Sequence, residues 1–164
     1  LTLAREGERL ADTKPVSVQE AAASSWETVQ TDEATLTLDC DAMILADPNR
    51  LQQLLENLFR NAIEHGGAEV TVRVGTLPDG FYVEDDGPGI PQTERDEVFE
   101  AGYSAGDQGS GFGLAIVKRI AEAHGWDLAL THSDMGGARF EFTDVETVPT
   151  ASATAAHTTD TSQA

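Results

Sequence analysis

The stretch PNRLQQLLENLFRNAIEHGG, residues 48–67, predicts a long amphipathic helix. Asp47 is a favourable N-cap, Pro48 suits the first turn, and Gly66 with Gly67 ends the helix. At 100° per residue, one face collects the apolar residues Leu51, Leu54, Leu55, Leu58, Phe59, Ala62 and Ile63. We therefore expect this face to form part of the hydrophobic core.

Three polar residues follow one margin of that face at intervals of four: Asn57, Asn61 and His65. Asparagine is a poor helix former because its side chain competes for backbone hydrogen bonds. Two asparagines in register can present neutral carbonyl oxygens to a hard cation such as Mg2+, which also retains waters and phosphate oxygens. Taken alone, the helix favours the simpler interpretation of two surface asparagines and a histidine that reaches toward solvent.

The flanking segments predict helices and strands in a mixed order. Ser17 caps a helix that runs to about residue 30, and residues 113–124 form another helix. Strands are expected at 34–40, 43–46, 68–76, 80–86, 126–133 and 137–142. This order predicts an α/β fold, specifically an α+β two-layer sandwich, in which one mixed, mainly antiparallel sheet carries its helices on one face.

Composition excludes several classes of partner. The chain has 164 residues, room for one domain, with 10 Lys and Arg against 29 Asp and Glu and a formal charge of -19. Such a charge argues against nucleic acid and against contact with an anionic membrane. The acidic residues are spread along the chain, which is typical of adaptation to a salty cytoplasm. The single Cys40 has no internal disulfide partner, which suits a reduced compartment.

A second motif, VEDDGPGIP at residues 83–91, places Asp85 at a strand end before a glycine-containing turn. An ionised carboxylate only accepts hydrogen bonds, so it suits an exocyclic amine such as that of adenine. Glycines allow the backbone to approach a flat ring closely. An ordinary acidic turn explains this motif equally well when it stands alone.

A third motif, GSGFGLAIV at residues 109–117, is a glycine loop that runs into a helix. It is not a G-x-G-x-x-G fingerprint, because Leu114 stands where the third glycine belongs, and it has no Walker-type lysine. The free N–H groups of a helix start suit an anionic phosphate. We interpret this loop as a phosphate-binding loop of another type.

In this order, the motifs resemble the catalytic and ATP-binding domain of sensor histidine kinases, within the GHKL group of ATPases. ENLFRNAIEHG is similar to the asparagine box, VEDDGPGIP to the first glycine box, VFEAGYS at residues 98–104 to the phenylalanine box, and GSGFGLAIV to the second glycine box. The resemblance implies the Bergerat ATP-binding fold. ATP would lie between the helical layer and a lid at residues 92–109, anchored by Phe99.

The resemblance also implies ATP and Mg2+ as cofactors and assigns roles to individual residues. Asn61 would be the magnesium ligand, supported by Asn57, and these two are the catalytic residues. Asp85 would bind the adenine amine. The other implied nucleotide contacts are His65 beside the base, Gly87, Gly89 and Ile90 around adenine, Tyr103 and Ser104 within the lid, and Gly109, Ser110, Gly111, Phe112, Gly113 and Leu114 at the phosphates.

The implied function is transfer of the γ-phosphoryl group of Mg-ATP to a histidine on an upstream dimerisation domain, in a homodimer that signals to a response regulator receiver domain. None of the four histidines of this chain has the family's acceptor context. We expect residues 1–14 to end an upstream dimerisation helix, residues 15–147 to form the ATPase domain, and residues 148–164 to be a disordered tail. The location is expected to be cytoplasmic, and attachment of a full-length protein to a membrane stays open.

Two departures and two alternatives accompany the resemblance. Glu64 replaces a lysine common in the family, and Arg95 is the only basic residue between 92 and 113. A GHKL hydrolase would carry a glutamate base at position 57, and Glu56 is rotated by about 100° from that position. The other alternative is a nucleotide-binding module without catalysis, or an anti-sigma-type serine kinase.

Overall fold

The computed structural model describes residues 13–29, 33–66, 69–88 and 113–148. In chain order, the elements are β1 (Lys14–Ser17), α1 (Val18–Thr28), β2 (Thr35–Asp39), β3 (Met43–Ala46), α2 (Pro48–Gly66), β4 (Thr71–Leu77), β5 (Gly80–Asp85), α3 (Gly113–His124), β6 (Asp127–His132), β7 (Ala138–Thr143) and β8 (Thr147–Val148).

The main sheet has five strands in the order β2-β4-β5-β7-β6. Strands β2 and β4 are parallel, and the remaining pairs of this sheet are antiparallel. The α+β sandwich with a mixed, mainly antiparallel sheet is therefore confirmed. The expectation of one sheet was wrong, because β1, β3 and β8 form a separate antiparallel sheet of three strands. Strands β1 and β8 have four and two residues, too few for a periodic pattern to reveal them.

The small sheet also changes the edges of the predicted domain. Lys14, expected in the upstream helix, pairs with Ala46, and Val148, expected in the tail, pairs with Met43. Both boundary residues therefore belong to the folded unit. The rest of the predicted tail and residues 1–12 of the predicted helix lie outside the described residues, so those two expectations stay predictions.

The core lies between the helices and one face of the five-stranded sheet. The predicted apolar face of α2 is buried except for Ile63, which is half-buried. Opposite it lie the inward side chains of the sheet, including Val72, Val74 and Phe81. Phe81 stacks on Phe142 with ring centroids 4.8 Å apart, which extends the core across the β5–β7 pair.

The predicted helix starts are confirmed by their caps. The Glu20 N–H donates to Ser17 Oγ at 3.1 Å, and the Asn49 N–H donates to Asp47 Oδ1 at 3.0 Å. The Asp47 N–H also donates to His124 Nε2 at 3.1 Å. This last bond ties the start of α2 to the end of α3, so the two packed helices run in opposite directions.

Candidate functional site

Asp85 ends β5 and is buried, with 7% of its surface exposed. Its Oδ1 accepts hydrogen bonds from the backbone N–H groups of Gly87 at 2.9 Å and Ala138 at 3.4 Å. Within the part of the chain that the structure describes, Oδ2 accepts no hydrogen bond. The two backbone donors fix the orientation of the carboxylate and leave one oxygen for a ligand.

Burial raises the pKa of Asp85 above its ordinary value near 3.8, and the negative charges of Asp86 and Glu84 raise it further. The hydrogen bonds from Gly87 and Ala138 oppose the rise because they stabilise the ionised form. The carboxylate is therefore under-solvated, and a ligand that donates a hydrogen bond to it replaces solvation that burial removed.

Three glycines lie close together around this carboxylate. A Cβ on Gly87 would come within 2.7 Å of the Gly66 Cα at the end of α2. A Cβ on Gly137 would overlap the side chain of Asp85 and approach the Gly87 nitrogen to 2.7 Å. Backbone packing at these positions admits no side chain, so the end of α2, the turn after β5 and the start of β7 meet at Asp85.

Gly137 and Ala138 are site residues that the sequence reasoning missed. The only local signal for them is the Gly136-Gly137 pair at the start of the predicted strand 137–142. Their contact with Asp85 spans 53 residues of chain. No local pattern identifies such a contact.

The margin of α2 carries the two predicted asparagines, both half-buried. The Asn57 Nδ2 donates to the Gln53 carbonyl oxygen at 2.8 Å, and among the described residues its Oδ1 accepts no hydrogen bond. Among the described residues, the Asn61 side chain has no hydrogen-bond partner. At 1.5 Å per residue, Asn61 and Asn57 lie about 7.5 and 13.5 Å along α2 from Gly66, which marks the Asp85 end.

The start of α3 can be placed by its height along α2. From His124 to Gly113, α3 rises about 16.5 Å, and the same rise along α2 from Asp47 reaches about residue 58. The antiparallel packing therefore sets the first N–H groups of α3 near the level of Asn57. Leu114 is buried at 7% exposure, so it anchors the helix start in the core.

Several predicted site residues lie outside the described residues, and their placement stays a prediction: Gly89, Ile90, Tyr103, Ser104, Gly109, Ser110, Gly111 and Phe112, with the lid and Phe99. The His65 backbone belongs to α2, but its side chain is not described. In the four described ranges, no group of three or more His, Cys, Asp or Glu could hold a metal ion.

Glu56, the alternative hydrolytic base, faces a different helix. Its Oε2 accepts hydrogen bonds from Thr28 Oγ1 and Gln52 Nε2, both at 2.8 Å. Thr28 ends α1, so the carboxylate lies on the side of α2 that packs against α1. This position agrees with the rotation expected from the sequence.

A model of the family described as Histidine kinase-, DNA gyrase B-, and HSP90-like ATPase matches residues 46–147, more than half of the chain. The chain belongs to this family. It is therefore an ATP-binding domain, and the matched segment contains α2, β5, α3 and the β6–β7 pair that build the site described above.

The curated relatives are sensor kinases. The chain is 39% identical over 101 residues to the signal transduction histidine-protein kinase AfsQ2 of Streptomyces coelicolor, covering 57% of this chain and 19% of that protein. It is 38% identical over 106 residues to the sensor-type histidine kinase PrrB of Mycobacterium tuberculosis, covering 59% of this chain and 23% of that protein. The chain thus spans about a fifth of the length of these relatives.

Solved structures agree with the fold and with the resemblance. A mycobacterial sensor histidine kinase, MprB, superposes with a TM-score of 0.73 at 25% identity, covering 84% of this chain and 100% of that chain. The ATP binding domain of PrrB from Mycobacterium tuberculosis superposes with a TM-score of 0.64 at 28% identity, covering 84% and 98%. The chain is homologous to histidine kinase ATP-binding domains. None of the helices described here is long and apolar enough to cross a membrane.

Proposed function

We propose that this chain is the catalytic part of a two-component sensor histidine kinase, donating the γ-phosphoryl group of Mg-ATP to a histidine on an upstream dimerisation domain. The observation that carries the proposal is the buried Asp85 carboxylate, which two backbone N–H groups orient while Oδ2 receives no hydrogen bond from the described residues. An adenine amine is the donor that this oxygen fits. The close packing of Gly66, Gly87 and Gly137 holds the backbone around this carboxylate in place.

The part of the proposed site that would bind the phosphates lies further along α2, toward the start of that helix. Bound Mg-ATP supplies the transferable group and the metal charge that neutralises its oxygens. Asn61 would hold the cation through its amide oxygen, and Asn57 would support it with the Oδ1 that its bond to Gln53 leaves unused. The first N–H groups of α3 would bind the phosphates, because the positive end of the helix dipole favours negative charge.

The surroundings of His124 support the division between donor and acceptor. In His124 both ring nitrogens are engaged, Nε2 by the Asp47 N–H and Nδ1 with the Ile120 carbonyl oxygen at 2.9 Å. A nitrogen that accepts such a bond is not a free nucleophile. We infer that the phosphoryl acceptor belongs to a separate upstream domain of a homodimer, that a response regulator receiver domain is the next partner, and that the location is cytoplasmic.

Labelled ATP tests this division. The fragment, incubated with γ-labelled ATP and Mg2+, is expected to acquire no acid-labile, base-stable phosphate, and to label an added dimerisation hairpin that carries the family's acceptor histidine. Glu56→Gln is the control, because a residue bonded to Thr28 has no part in the transfer. Phosphohistidine on the fragment alone, or phosphoserine on an added protein, would overturn the proposal.

A further inference from the structure

Glu84 is a second buried carboxylate beside Asp85, and it faces the opposite side of the sheet. Successive side chains of a strand point to opposite faces, so Asp85 points toward the helices and Glu84 away from them. Glu84 is nevertheless only 2% exposed. A carboxylate buried to this degree on the outer face of a sheet requires partners.

Two arginines and one hydroxyl supply these partners. Glu84 Oε2 lies 3.4 Å from Arg73 Nη1, and Oε1 lies 3.4 Å from Arg139 Nη1. Arg139 is itself held by Glu141 at 2.7 Å and by the ring of Tyr82, whose centroid is 3.8 Å from the guanidinium carbon. The arginines lie directly across from Glu84 on the two neighbouring strands, so they compensate its negative charge.

The hydroxyl belongs to a turn that has another role. Ser133 Oγ donates to Glu84 Oε1 at 2.9 Å and accepts from the Met135 N–H at 2.9 Å. The Ser133 backbone closes the same turn, donating to the Gly137 oxygen at 2.8 Å and accepting from the Gly136 N–H at 3.0 Å. Glu84 therefore holds the β6–β7 turn at its first residue.

The far end of this turn is the wall of the Asp85 site. Gly137 packs against the Asp85 side chain, and the next residue, Ala138, donates its N–H to Asp85 Oδ1. A displacement of the turn at Ser133 would thus move the donor that orients the carboxylate. The bond from Ala138 is long, at 3.4 Å, so a small displacement is enough to break it.

We infer that Glu84 and Ser133 are positioning residues for base recognition: from the outer face of the sheet, they hold the β6–β7 turn so that Gly137 and Ala138 orient the Asp85 carboxylate toward the exocyclic amine of the nucleotide. This inference rests on the proposed role of Asp85. It assigns a function in specificity to two residues whose bond to each other lies on the face of the sheet opposite to Asp85.

The test measures how well the domain distinguishes ATP from purine riboside triphosphate, which lacks the 6-amino group. Calorimetry gives both dissociation constants for the chain, and their ratio reports recognition of the amine. Ser133→Ala is the decisive variant, because it removes one hydroxyl and leaves every charge in place. We expect it to weaken ATP binding by about threefold to tenfold, to leave the binding of the analogue unchanged, and so to reduce the ratio by that factor.

Matched controls separate positioning from a general loss of structure. Ser25→Ala removes another buried hydroxyl, one that bonds the Gln52 oxygen between α1 and α2, and it is expected to keep the wild-type ratio. Glu84→Gln weakens the hold on Ser133 and is expected to reduce the ratio. Glu141→Gln removes a charge from the same arginine without touching Ser133, and it should keep the ratio.

The outcomes distinguish this inference from the proposed function. If Asp85→Asn abolishes the discrimination while Ser133→Ala and Glu84→Gln keep it, the positioning role is wrong and the adenine site stands. A Ser133→Ala variant that weakens both ligands equally has only a structural role, which also overturns the inference. If Asp85→Asn itself keeps the wild-type ratio, the proposed role of Asp85 fails.

Discussion

The replacement Asp85→Asn has an unusually well-defined structural consequence. The backbone N–H groups of Gly87 and Ala138 both point at Oδ1, so the amide must place its oxygen there. Its NH2 group then occupies the position of Oδ2 and presents donors to the adenine amine, which is also a donor. The variant keeps the shape of the site and replaces the hydrogen-bond acceptor Oδ2 with a donor.

The loss of affinity can be estimated from that reversal. A hydrogen bond to a charged group contributes about 1.5–3 kcal/mol, which corresponds to a dissociation constant for ATP that is about 10- to 150-fold weaker. Inosine triphosphate has a carbonyl oxygen in place of the amine, so its affinity for Asp85→Asn should exceed that of ATP. Calorimetry with both nucleotides measures this change of preference.

The same replacement should stabilise the nucleotide-free domain. Because burial raises the pKa of Asp85, the unfolded chain releases this proton at a lower pH than the folded chain does. The wild-type protein therefore loses stability as pH rises from about 3.8 to the raised folded pKa, and that loss persists at neutral pH. The uncharged amide avoids the loss, so the variant should melt at a higher temperature than the wild type at pH 7 without nucleotide.

Asp86→Asn is the matched control. It removes the same charge one residue away, where the carboxylate is exposed and accepts the Thr71 N–H at 2.9 Å. We expect its affinity for ATP to stay within about twofold of the wild type. Unchanged ATP affinity in Asp85→Asn, or an equal loss in Asp86→Asn, would refute the reasoning, because the effect would then not depend on the oriented carboxylate.

Three further predictions concern catalysis, pH and salt. Asn61→Ala should abolish phosphoryl transfer to the added hairpin, and the free energy of unfolding should change by less than about 1 kcal/mol. Transfer at the wild-type rate would contradict the assignment of Asn61 as the metal ligand. Burial lowers the pKa of His124, so the unfolded chain protonates first and stability should fall as pH drops below about 6.5. Denaturant titrations at pH 7.5 and 5.5 measure this fall, which should be smaller in His124→Gln. The net charge of -19 predicts that the melting temperature rises from dilute buffer to molar KCl, because the Debye length there is roughly 3 Å and repulsion between the acidic side chains is screened. A constant melting temperature would contradict adaptation to salt.

The sequence by itself determined the helices and their boundaries. Helix periodicity and caps depend on residues within one or two turns. The sequence therefore predicted the apolar face of α2, its N-cap at Asp47 and its end at Gly66. The bounds of α3 were predicted to the residue. The motifs that led to Asn57, Asn61, Asp85 and Gly87 are equally local.

Only the tertiary structure decided how these motifs meet and what surrounds them. The separate sheet of β1, β3 and β8 depends on pairing between segments that are short and distant in sequence. The burial of Glu84 was equally invisible, because its partners Arg139 and Ser133 lie about 50 residues away on other elements. Gly137 and Ala138 became site residues because the β5–β7 pairing carries them to Asp85. Local periodicity shows which face of a helix or strand is apolar. The partner of a buried polar group depends instead on long-range packing, because that partner comes from a distant part of the chain. In this domain, such packing orients the Asp85 carboxylate that we propose recognises the nucleotide.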